Sequence, residues 1–310
     1  MALFYNNNFE IRLIRKRESD SFLSTDGEEI LRLVTDRGLF GRDQLCICAD
    51  PFLFGHGGEL YLFYEYERKR WGEGKGEIHM IKTADMKVWS KDVRVLEEDF
   101  HLSFPNVFGY GDEVYMLPEC NENGSIRLYR AVSQGLDRWE LVRKLVDDGL
   151  RWADSTLIAK DGLFYLFSSR PGEGGPEAHL FISESLDGVY RPHPCSPIDR
   201  NRATSRNAGS IILKDGAMFR PVQDCSHSYG KQVSILRIDR LSPTEYSEHP
   251  EKLHILNTDE PFYNHGGHQF NAVNFNGRTI VATDAKKRNF NIPAVLGTRI
   301  GHLRRIFGRK

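Results

Sequence analysis

Short apolar runs alternate along the chain with turns rich in Gly, Asp and Asn, and the alternation repeats. Phe52-Leu53-Phe54, a turn through His56-Gly57-Gly58, and Leu60-Tyr61-Leu62-Phe63-Tyr64 read as a β-hairpin. The same figure returns at Phe104–Phe108 with Val114–Leu117, and at Asp154–Ile158 with Phe164–Phe167. It returns again at Gly209–Leu213 with Met218–Pro221, and at Phe270–Val273 with Thr279–Ala282. The turns fall at positions 58, 112, 162, 216 and 277, spaced 54, 50, 54 and 61 residues apart. A repeat of about 50 residues is a propeller-blade period.

Each unit has room for two more strands. Ile78–Ile81 followed by Trp89 fills that place in the first, Ile126–Tyr129 followed by Trp139 in the second, Leu180–Ile182 followed by Tyr190 in the third. Five four-stranded units in a ring leave few exposed sheet edges. The pattern therefore predicts an all-β chain, one five-bladed β-propeller over residues 1–310, with hairpin cores near 49–66, 103–119, 153–169, 208–223 and 268–284. Ile11-Arg12-Leu13-Ile14 is expected to lend a strand that closes the ring.

Composition changes the picture little. With 40% hydrophobic and 27% charged residues the chain can build a core, and a net charge of −1 gives it no general attraction to nucleic acid. Met1–Phe9 lacks the basic-then-apolar order of a secretory signal, and five scattered cysteines make no disulfide framework. A cytoplasmic location with reduced thiols is expected.

The repeat sharpens the search for chemistry. Eight residues before each turn stand Asp50, Phe104, Asp154, Ala208 and Gln269; seven residues after it stand Glu65, Glu119, Ser169, Gln223 and Asp284. All members of the second set are polar although the strands before them are apolar, which predicts a polar ring around the hub. An Asp near a turn can simply bond local amides. Two of them, Asp50 and Asp154, at one repeat position favour a functional pair, with Glu119 as a third carboxylate. Glycosidic-bond chemistry needs one carboxyl to protonate the leaving oxygen and another to activate water or attack the anomeric carbon. Arg206, Arg220, Gln223, Asp224, His265, His268, Asn271 and Trp152 are candidate substrate-binding residues. Trp71 and Tyr263 are further candidates for sugar platforms. His265 and His268 flank Gly266-Gly267, but no Cys or carboxylate joins them at ligand spacing, so neither a metal nor another cofactor is expected.

Ala49-Asp50-Pro51-Phe52 with its Gly turn and Tyr61-Leu62-Phe63-Tyr64 resembles the first blade of family-43 glycoside hydrolases. That resemblance implies Asp50 as general base and Asp154 as its tuner. Where that family shows a Glu in the fourth blade, this chain has Arg206-Asn207-Ala208-Gly209, so Glu119 would have to serve as acid. A resemblance over nearly the whole chain rests on His101-Leu102-Ser103-Phe104-Pro105, Met116-Leu117-Pro118-Glu119, Arg220–Ser226 and Arg237–Tyr246. These segments look like the N-terminal domain of glucosamine inositolphosphorylceramide transferase and its bacterial relatives. The resemblance implies a glycan or lipid-linked sugar as partner, with the transferase chemistry residing in a separate domain. Three activities stay open: a glycoside-hydrolase-like enzyme, which the Asp pair favours, a phosphate-using phosphorylase, and a glycan-binding propeller assisting a glycosyltransferase.

Residues 295–310 are basic and apolar at helical spacing. Docking onto the propeller and contact with a membrane surface are both open for this tail.

Overall fold

The computed structural model describes residues 5–36, 38, 40–71, 74–293 and 296, so the basic tail lies outside the described residues except for Leu296. The chain is all-β. β3 (Asp43–His56), β4 (Glu59–Arg70), β5 (Glu77–Thr83) and β6 (Val93–Leu96) form an antiparallel meander. A second meander comprises β7 (Ser103–Tyr110), β8 (Glu113–Glu119), β9 (Ser125–Ala131) and β10 (Trp139–Asp147). The third has β11 (Ala153–Lys160), β12 (Leu163–Gly172), β13 (Gly175–Ser183) and β14 (Arg191–Pro192). In the fourth, β15 (Arg206–Asn207) and β16 (Ile212–Lys214) both pair with β17 (Ala217–Asp224), followed by β18 (Gln232–Leu241) and β19 (Tyr246–Lys252).

The two chain ends complete the last group. β20 (Phe270–Phe275) pairs with β21 (Arg278–Phe290), which pairs with β1 (Tyr5–Arg15), and β1 carries β2 (Glu28–Leu33) on its other edge. The expected closing strand is thus β1, although β2 was not foreseen. A parallel pairing of Phe9 with Ile47 joins this group to the first meander, so the two make one continuous sheet.

Hydrophobic alternation explains how the groups assemble. One face of β4 and β5, including Phe63, Ile78 and Met80, packs on Val107, Met116 and Tyr129 of the second meander. Leu117 and Leu128 pack on Leu166 and Phe181, and Phe167 and Leu180 pack on Ile238 and Leu241. Phe219 and Val233 then meet Phe270, Val281 and Ile14, while Leu13 and Ile280 meet Leu53 and Leu62. Every meander buries one face on its predecessor and the other on its successor, and the last packs back on the first. At about 25 cal/mol per Å² of apolar surface, these interfaces supply the main drive to fold.

Two expected details differ. Trp89 is not on the outer strand of the first meander. The Asp85 carboxylate accepts the amides of Lys87 (2.8 Å) and Val88 (2.9 Å), holding a turn that delays the outer strand to Val93. The first strand of the fourth hairpin is broken at Gly209, where φ is +155° and a Cβ would collide with the Phe270 carbonyl oxygen. None of the five cysteines is in a disulfide.

Candidate functional site

Three inner hairpins carry the same defect at the same place. The register slips by one residue between Ala49 and Phe52, between Ser103 and Asn106, and between Ala153 and Thr156. Each slip is a β-bulge, and each puts a non-glycine residue in the left-handed region: Asp50 at φ 51°, Phe104 at 46° and Asp154 at 50°. A bulge re-aims its residue and leaves its amide outside the ladder. Carboxylates collect these amides. Asp284 Oδ2 accepts from Asp50 (3.3 Å), Asp50 Oδ2 from Phe104 (3.1 Å) and Glu119 Oε2 from Asp154 (3.1 Å). The carboxylates therefore have a structural duty before any chemical one.

The polar ring read from the repeat is present and buried at all five positions, Glu65, Glu119, Ser169, Gln223 and Asp284. Glu65 pairs with His101 Nε2 at 3.1 Å, and Ser169 donates to the Ser205 carbonyl. Gln223 Nε2 donates to Asp154 Oδ2 (3.0 Å) and to the Asn207 carbonyl (2.8 Å).

Two charge clusters stand on this frame. In the first, His268 Nδ1 lies 2.5 Å from Asp284 Oδ2 and His268 Nε2 lies 3.7 Å from Asp50 Oδ1. Burial pushes the Asp50 carboxyl up to about 8 against the opposing pull of His268. Burial alone would lower His268, but the charges of Asp284 and Asp50 carry it up to about 9. Phe9 stacks on the imidazole at 4.5 Å and Tyr229 meets it edge-on at 5.1 Å, fixing the ring. In the second cluster, Arg206 Nε is ion-paired to Asp154 and Nη2 lies 3.5 Å from Glu119. Burial and the neighbouring Asp154 charge push Glu119 up to about 8, with Arg206 opposing. The Arg206 guanidinium also lies 5.1 Å from the centre of the Tyr229 ring, so Tyr229 touches both clusters.

Asp50, His268 and Asp284 each offer one ligand atom, all within 4.8 Å of one another, a donor set that suits a divalent cation. This set differs from the His265–His268 pair weighed from the sequence. His265 is partly buried among Arg288, Lys287 and Lys286, and burial followed by those charges lowers its pKa.

Of the residues expected in the site, Asp50, Asp154, Glu119, Arg206, Gln223 and His268 come together. Several others do not. Arg220 is fully buried with its guanidinium on Glu248 and on the Asn207 side chain, and it braces the fourth meander. Trp152 is packed edge-on against Phe181 and His179, with Nε1 donating to Asp148, so no face is free for a sugar. Asn271 accepts the Leu53 amide and donates to Ser210, tying two meanders together. Asp224 holds the loop after β17 through Ser226 and His254. Tyr263 is buried in the core, and Trp71 is exposed beneath Arg42. These are corrections of one kind: polarity near a hairpin end marked a buried strut as readily as a ligand group.

Three hub residues were missed. Asp284 was visible as a member of the polar ring but not singled out. Phe9 and Tyr229 carry no repeat signal, because they reach the hub from β1 and from a loop.

Residues 42–282 match the family model described as glucosamine inositolphosphorylceramide transferase 1, N-terminal. The chain is 38% identical over 214 residues to glucosamine inositolphosphorylceramide transferase 1 of Oryza sativa subsp. japonica, covering 67% of this chain and 28% of that protein. It is 35% identical over 261 residues to the protein of the same name from Arabidopsis thaliana, covering 80% of this chain and 33% of the relative. The matched segment spans about a third of these curated relatives. Among solved structures, a β-1,2-mannobiose phosphorylase from Listeria innocua aligns with TM-score 0.60 at 11% identity, over 92% of this chain and 98% of that one. The α-L-arabinofuranosidase PaAbf62A from Podospora anserina aligns with TM-score 0.57 at 11% identity, over 76% and 90%. These two likenesses show a shared fold.

Proposed function

The chain belongs to the family of the N-terminal domain of glucosamine inositolphosphorylceramide transferase 1, and from that premise we propose that it recognises a glycan or lipid-linked sugar at the hub of a five-bladed propeller. The five blades in this reading are the four meanders and the group β20-β21-β1-β2, and the cyclic packing of their faces supports the count. The hub gathers polar side chains on a frame of paired strands, and sugar recognition needs such fixed polar groups. The solved structures of like fold are described as complexes with β-1,2-mannobiose and cellotriose, which favours a saccharide here. The name of the plant relatives favours a glycolipid context, with the propeller serving a transferase domain or partner.

One observation favours recognition over hydrolysis: Arg206 stands where the resemblance to glycosidases would place an acid, and it pairs with Asp154 and Glu119. Two-carboxylate hydrolysis needs one carboxyl to donate a proton and a second, free and ionised, to activate water or attack. Here Asp154 and Glu119 hold a guanidinium, and Asp284 holds His268. Hydrolysis or phosphorolysis draws support from Asp50, which burial pushes up to about 8 and which therefore has a proton to give at neutral pH.

Calorimetry against a panel of neutral mono- and oligosaccharides tests recognition. At least one should bind the wild-type chain, and Asp50→Ala should weaken it about tenfold, the loss expected for a hydrogen bond to a chargeable group. A panel without binders, or binding indifferent to Asp50→Ala, would remove the hub from the account.

A further inference from the structure

We infer that the cavity beside Arg206 is a subsite for a phosphate group, as a phosphomonoester or phosphodiester. That this phosphate is attached to the sugar held at the hub rests on the glycan reading above. The cavity, about 540 Å³, opens between the β12–β13 hairpin, the loop before β15 and the loop after β17. Four arginines line it, Arg151, Arg170, Arg202 and Arg206, and no Asp or Glu does.

The charge balance of these four is uneven. Arg206 is neutralised by Asp154 from behind, with Glu119 at 3.5 Å, and Arg170 lies 3.5 Å from Glu177. Arg151 donates to the Asn121 side-chain oxygen Oδ1, at 3.4 Å, and among the described residues neither Arg151 nor Arg202 has an ion pair. Two guanidinium charges are thus left without a carboxylate on one concave wall, in a chain whose net charge is −1. Confined like charges raise the local potential, and an anion relieves it.

The wall is shaped for the purpose. Gly175, at φ +139°, leaves room for the Arg202 side chain, since a Cβ there would lie 3.0 Å from Arg202 Cγ. Arg forks match the paired oxygens of phosphate. The volume admits a phosphate with a ring-sized substituent. Arg206 would then serve both sites, its carboxylate pair facing the hub and its outer edge facing the cavity.

The test is calorimetry on the full chain with inorganic phosphate, glucose 1-phosphate, glucuronate and neutral glucose, together with sedimentation of vesicles of phosphatidylcholine with and without phosphatidylglycerol. A phosphate probe should bind, and added salt should weaken it. The double variant Arg151→Ala/Arg202→Ala removes two exposed side chains and should cost at least tenfold in that affinity, with neutral-saccharide binding unchanged. Preference for phosphatidylglycerol vesicles over soluble phosphates would assign a lipid headgroup as the source, and the reverse order a soluble phosphate. Equal affinity for glucuronate, no phosphate binding, or an indifferent double variant would overturn the subsite. Phosphate binding in a chain that binds no neutral saccharide would defeat the glycan reading and leave the subsite standing.

Discussion

Asp50 and Asp154 occupy the same position of two inner hairpins, at bulges of the same register and with φ within one degree of each other. Their surroundings are nonetheless opposite in kind. Asp50 faces an imidazole, His268, which gives up its proton as pH rises through about 9, whereas Asp154 is held by a guanidinium, Arg206, that stays charged. One backbone device thus presents one carboxyl whose proton is in play at neutral pH and one carboxylate tied to a permanent charge. The comparison locates adjustable chemistry at Asp50 and fixed architecture at Asp154.

The largest expected effect breaks the fixed cluster. Arg206→Met leaves the Asp154 carboxylate buried without a countercharge and should cost about 3 kcal/mol of stability in urea unfolding at pH 7. A loss below about 1 kcal/mol would show that the guanidinium is dispensable and that the two clusters do not differ in this way.

A second effect, spread over several pH units, belongs to the adjustable cluster and appears as a pH dependence. His268 titrates at about 9 in the folded chain against 6.5 ordinarily, and Asp50 at about 8 against 3.8. Both folded values are raised, so the native state holds more protons than the unfolded state across these windows. The stabilisation is complete below the unfolded values and is lost as pH rises through the folded ones. Stability should therefore fall through Asp50 from about pH 3.8 to 8 and through His268 from about 6.5 to 9, by up to about 1.4 kcal/mol per pH unit for each retained proton. His268→Gln should flatten that slope between pH 6.5 and 9. A slope unchanged in His268→Gln would assign it elsewhere.

The smallest effect concerns Glu119. Burial pushes it up to about 8, so at pH 7 it carries a proton, and Gln copies its shape and its acceptor for the Asp154 amide. Glu119→Gln should change stability by less than about 1 kcal/mol at pH 7. A larger loss would mean that Arg206 holds Glu119 ionised and that the fixed cluster has two charged carboxylates.

The same contrast explains what could be read in the sequence. Hairpin positions and the polar ring were legible because strand alternation and turn chemistry are local and repeat with the blade. Asp50, Asp154 and Glu119 were found through that repeat. The register slips were not legible, because a bulge is a property of two paired strands and leaves no mark in either one alone. Nor were the countercharges. Arg206 and Arg220 are both basic residues of the fourth unit, yet one reaches the hub and the other is locked on Glu248 from β19. Only the packing of neighbouring strands separates them. Tyr229 and Phe9 meet His268 from distant parts of the chain, a convergence that no spacing encodes.

The central claim is that this hub holds a sugar without cleaving it, because the carboxyl groups that could assist Asp50 are held, Asp154 and Glu119 by Arg206, Asp284 by His268 and Glu65 by His101. The most direct measurement is chromatographic analysis of sugar released during prolonged incubation of wild type and Asp50→Asn with a saccharide shown by calorimetry to bind, with and without phosphate. The account predicts binding with no release above the protein-free blank in either condition. Release by the wild type that disappears in Asp50→Asn would contradict it and make Asp50 a catalytic group.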